Sequence, residues 1–62
     1  MAEARKRLFE EALGLYRTFK SDQIKKARLL CKKALNEHGD LMKEFEDLLD
    51  MIELWLEYDK KR

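Results

Sequence analysis

Few side chains in this sequence are capable of covalent or acid–base chemistry. Cys31 is the one thiol and His38 the one imidazole. A nucleophile needs a base or a positive neighbour within reach. Cys31 instead falls on an apolar helical face with Ala27, Leu30, Ala34 and Leu35, which reads as a small core hydrophobe. His38 stands beside Gly39 where that face ends, a position that suits an imidazole at a helix C-terminus. The carboxylates Glu46, Asp50, Glu53 and Glu57 share one helix face. They lack the Glu-x-x-His pairs of helical di-iron sites, and zinc would need more Cys or His than one of each. No Ser-His-Asp set and no phosphate-cradling Gly loop can be assembled. A non-enzymatic protein is expected, with no metal and no cofactor.

Cationic chemistry is the next candidate. Lys25, Arg28 and Lys32 line one helix edge, with Lys26 and Lys33 nearby, as a phosphate-tracking patch would. The net charge is only +1, and no aromatic residue stands among those lysines to stack on a base, so nucleic acid is not an expected partner. The small net charge conceals a division. Residues 1–20 carry five basic groups against three acidic, and residues 21–37 carry five against two. Residues 40–59 reverse this, with eight acidic groups against Lys43. Internal complementarity is the simplest expectation, two basic helices beside an acidic one.

The elements that must position these groups follow from composition and period. The 62 residues are 45% hydrophobic and 44% charged, with no Pro and two Gly, which favours helix over disorder and allows one domain, residues 1–62. No charged-then-apolar leader and no run of 18 apolar residues occurs; a soluble chain without a membrane partner is expected. The single Cys favours a reducing, cytoplasmic or recombinant cytosolic environment. Apolar periodicity predicts helices over about 2–20, 22–38 and 40–60. Leu8, Ala12, Leu15 and Phe19 form the first seam, broadened by Phe9, Leu13 and Tyr16. Ser21 and Asp22 offer N-cap chemistry for the second helix, Gly39 a left-handed stop, and Asp40 a cap for the third. Connections this short force antiparallel neighbours. The fold class predicted is all-α, an antiparallel up-down-up three-helix bundle. Gly14, on the polar side of the first helix, reads as either a surface glycine or a point of close backbone approach. Leu29 points away from the second helix's apolar face, among lysines.

Three resemblances attach to these residues. The stretch from Ala27 to Asp40, ARLLCKKALNEHGD, looks like the second helix of a tetratricopeptide repeat, with Ala27 and Ala34 at the two alanine positions and Cys31 between them. With Leu13-Gly14 upstream and Phe45, Leu48 and Ile52 downstream, that likeness covers about residues 12–52 and implies helical-hairpin packing. Leu35-x-x-x-Gly39-Asp40 resembles the heart of pro-apoptotic groove-binding helices, which implies a helix continuing through Gly39. The whole format is similar to de novo designed three-helix mini-proteins, particularly target binders; near-equal helices, short loops and high Glu/Lys/Arg/Leu content carry it.

The third helix holds the strongest functional signal. From Leu48 to Tyr58 the sequence LLDMIELWLEY is polar only at Asp50, Glu53 and Glu57. At about 100° per residue, Leu48, Leu49, Ile52 and Leu56 continue the face of Leu41, Met42 and Phe45 and suffice for a core. Met51, Leu54, Trp55 and Tyr58, at i, i+3, i+4 and i+7, form a second apolar sector that Glu44 and Asp47 extend with charge. Trp and Tyr dominate binding hot spots, and one helix strip suits helix-in-groove recognition. The expected partner is another protein, bound through these six residues. A second copy, giving a homodimer with a shared core, is the alternative, and a face on the first two helices around Gly14 and Leu29 stays open.

Overall fold

The structure is a computed structural model describing residues 2–61. Helix α1 (Ala2–Tyr16) runs up, α2 (Ser21–Glu37) down and α3 (Met42–Lys60) up again. The protein is thus an all-α, up-down-up three-helix bundle, with extents of 40 × 16 × 13 Å. Both outer helices lie along α2, whereas α1 and α3 meet each other only sparsely.

The reason lies in side-chain size. On α2 the buried line is Ile24, Ala27, Cys31 and Ala34, three of them small enough to let a neighbouring backbone come close. α3 answers with larger groups, Phe45, Leu48 and Ile52, and α1 contributes Ala12 as its fully buried residue. Burial of each large side chain is worth about 1.5–3 kcal/mol. Leu8, Phe9, Leu13, Leu15, Leu30 and Leu35 pack half-buried around this centre.

Where α1 meets α3, Phe45 is the hub. Phe9 presents its ring at 85° with centroids 5.4 Å apart, and the Arg5 guanidinium lies 5.3 Å from the Phe45 ring centre. Arg5 also donates from Nε to the Asp40 carbonyl (2.7 Å) and from Nη2 to the Ala34 carbonyl (3.1 Å) and Met42 Sδ (3.5 Å). The Ala34 carbonyl is one of the last four of α2, which have no acceptor role inside the helix. α2 has no basic residue in its own last turn. Arg5 therefore supplies from α1 the cation that a helix C-terminus favours.

The helix ends differ from the sequence expectation. α1 stops at Tyr16, four residues short of 20, because its end tightens: Thr18 N donates to Leu15 O (3.3 Å) and Phe19 N to Tyr16 O (3.2 Å). The Thr18 hydroxyl donates to Leu15 O at 2.7 Å and accepts from Lys20 N at 3.3 Å. Phe19 then turns left-handed (φ 55°) and is 62% exposed, so it leaves the seam assigned to it. Ser21 is the first helical residue of α2 rather than its cap; Lys20 holds the cap position without a side-chain bond. α2 ends at Glu37, and the left-handed φ belongs to His38 (54°), not Gly39. The helix does not continue through Gly39 as the pro-apoptotic likeness requires. Leu41 (φ 66°), not Asp40, stands at the N-cap of α3, and Asp40 serves through its carbonyl.

The two glycines have opposite roles. A Cβ on Gly14 would meet nothing within 4 Å, whereas one on Gly39 would come within 2.8 Å of Arg5 Cδ and Nε. Gly39 is small so that Arg5 can lie across it. Gly14→Ala should raise the unfolding free energy by about 0.8–1 kcal/mol. Gly39→Ala and Arg5→Ala should each lower it by about 1–3 kcal/mol, the scale of hydrogen bonds made by a charged donor. Urea unfolding of the double variant should show a loss smaller than the sum, because both changes break the same contact. Full additivity would separate Gly39 from Arg5.

Candidate interaction face

α3 exposes most of the sector marked out in its sequence. Leu54 is 71% and Tyr58 72% exposed, and Met51 is 44% exposed. Glu44 and Asp47 are exposed along the same side. Trp55 differs. It is half-buried and packs against the core, so it forms the inner border of the sector while its three apolar companions face outward. Helical phase explains the split: at about 100° per residue, Trp55 falls next to the buried Leu48, and Leu54 falls on the far border. Leu54's outer flank is acidic, since it shares a shallow trough with Asp50, Glu53 and Glu57.

Next to this sector lies a groove that the sequence did not reveal. A space of about 660 Å³ opens between α1 and the chain that leads into α3. The half-buried Phe9, Leu13 and Leu41 supply its apolar lining, and the exposed Lys6, Glu10, Asp40 and Glu44 its charged rim. Glu44 belongs to both features. It borders the groove and stands two turns before Met51 on the same side of α3. Phe9 and Leu13 read in sequence as widening of a core seam; the only local signal for a groove is that they fall to one side of Ala12.

The charges do not pair as their division suggests. Among the described residues, the ion pair within 4.0 Å is Lys61–Glu57, at the C-terminal end of α3 and exposed at both ends. The lysines of α2 and the carboxylates of α3 at Glu44, Glu46, Asp47, Asp50 and Glu53 make no ion pairs with each other. α2 and α3 press together through their apolar faces, which turns most of their charged groups toward solvent. Leu29 stands 65% exposed among the outward lysines of α2.

The reactive groups stand apart from this face. Cys31 is fully buried, and desolvation raises its thiol from the ordinary 9.0 to about 11. His38 is exposed at the end of α2 and forms no ion pair among the described residues. Among the described residues no three His, Cys, Asp or Glu side chains converge as a metal site requires, and no helix is long and apolar enough to cross a membrane. No protein-family model, curated protein or solved structure matches the chain.

Two outcomes follow from these placements. Between pH 9 and 11 the unfolded thiol ionises while the buried one keeps its proton. Its contribution is therefore intact below pH 9 and lost as pH rises, by about 1.4 kcal/mol per pH unit across that window. Denaturant melts at stepped pH should show this slope in the wild type and not in Cys31→Ala. On α3, Leu54→Glu combined with Tyr58→Lys should change the unfolding free energy by less than about 0.5 kcal/mol, as exposed sites do. Trp55→Ala should cost about 1–3 kcal/mol through lost packing. Comparable losses in both variants would place Leu54 and Tyr58 in the core.

Proposed function

We propose that this protein is a non-enzymatic interaction module that binds another protein through the exposed side of α3. The observation that carries the reading is the exposure of Leu54 and Tyr58, 71% and 72%, beside Met51 on one helix whose opposite face already builds the core. Fold stability has no use for these side chains, whereas a partner gains large apolar area from them. Trp55 holds the border of the face by packing inward, and Glu44 and Asp47 give it a charged end. The buried thiol and the isolated imidazole leave little machinery for catalysis. The format is that of the designed three-helix binders which the sequence resembles, where one helix side presents the anchors. We propose that kinship of format for this chain, with the outward side of α3 as the binding surface.

One observation favours a second reading, a homodimer. The lysines around Leu29 and the carboxylates Asp50 and Glu53 beside Leu54, without ion pairs among the described residues, have complementary chemistry on different elements of the same chain. Sedimentation equilibrium over a wide concentration range decides between them. A persistent monomer is expected, together with a partner retained by the wild type and lost from an equally helical Leu54→Glu/Tyr58→Lys variant. A dimer that this double variant dissociates would assign the face to self-association, and equal retention of the partner by wild type and variant would remove α3 from the interface.

A further inference from the structure

We infer that the α1–α3 side of the bundle receives a basic amphipathic helix, its apolar residues entering between α1 and α3 and its cations meeting the carboxylates of α3. The inference rests on the interaction-module reading and gives the partner a chemistry. The apolar lining of Phe9, Leu13 and Leu41 ends at Glu44, and the exposed Met51, Leu54 and Tyr58 follow further along α3, from two turns past Glu44. From Asp40 to Tyr58 this path is about 27 Å long at 1.5 Å per residue, room for a helix of about five turns. A helix fits better than an extended strand, because the bundle offers no free sheet edge to pair with one.

Charge selects the sign of the partner. Glu10, Asp40, Glu44, Asp47 and Asp50 border the path, against Lys6, Lys43 and, one turn past Leu13, Arg17. Among the described residues none of these carboxylates is held in an ion pair. A cationic helix would meet unpaired carboxylates along its flank, and an anionic one would meet repulsion. The protein's net charge of +1 gives no general attraction for cations, so a preference for a basic helix comes from a local acidic surface, this border or the Asp50–Glu53–Glu57 ridge.

The test uses two synthetic helices of about 18 residues with Leu at i, i+3, i+4 and i+7, one with Lys at all other positions and one with Glu. Each is titrated into the isotopically labelled full chain and followed by amide chemical shifts and by Trp55 fluorescence. The Leu/Lys helix should bind at least about tenfold tighter than the Leu/Glu helix, should shift residues of α1 and α3 facing the groove, and should weaken as salt rises. Glu44→Lys with Asp47→Lys should abolish or reverse the preference while leaving the circular dichroism unchanged. Equal binding of both helices at the groove would overturn the basic partner and leave the interaction face standing. Shifts confined to the Asp50–Glu53–Glu57 ridge would overturn the groove as the seat. If neither helix shifts any residue, the inference fails, while the reading beneath it is decided by the Leu54→Glu/Tyr58→Lys variant.

Discussion

α1 is held to α3 chiefly at one ring. Phe45 meets Phe9 edge to face and lies under the Arg5 guanidinium, while Arg5 reaches on to carbonyls of α2 and of the loop before α3. The aromatic contact and the cation–π contact are each worth about a kilocalorie, but their position gives them wider effect. They join three chain segments where the two parallel helices have little else in common. Beyond this joint the outer helices lean separately on α2, and beside it the groove opens between α1 and the chain entering α3. The same contact thus closes the bundle at one end and leaves it open along one side.

Electrostatics has a comparable division of labour. The cation that matters to the fold is Arg5, which neutralises a helix terminus that lacks its own positive residue. The many other charges face solvent, where isolated pairs contribute little. They decide what the surface attracts and repels, with a lysine ridge on α2 and a carboxylate border on α3. Opposite net charge on neighbouring helices proved to be a property of their outer faces, not of their contact.

Periodicity made the architecture legible because core positions repeat at helical spacing. Ile24, Ala27, Cys31 and Ala34 on α2, and Phe45, Leu48 and Ile52 on α3, are buried as their phase requires. The ends were harder, since each depends on a contact that local sequence does not display. Gly39 reads as a left-handed stop, yet its missing side chain is needed by Arg5, far away in the chain, and His38 takes the left-handed φ. A single hydroxyl at Thr18 helps to end α1 before Phe19 can join the seam. For the face, phase was enough to show Leu54 and Tyr58 outside. Trp55 straddles the boundary, where a few degrees of helix rotation determine burial. The groove could not be read at all, because it depends on the distance between two helices and not on either one.

The unequal lengths of the helices have a consequence for motion. Counting from the Phe9–Phe45 contact along two parallel helices, α1 reaches its end at Tyr16 about level with Ile52. α3 continues for eight more residues to Lys60, beside the first turns of α2 near Ser21, Lys25 and Arg28. That terminal stretch carries Leu54 and Tyr58 and has a helix behind it on one side only. Amide protons there should exchange by local opening, at a free energy below that of global unfolding, because few buried contacts must break. A ligand seated on this stretch would then act as a splint, and its affinity would include the work of stilling a helix end that the free protein lets fray.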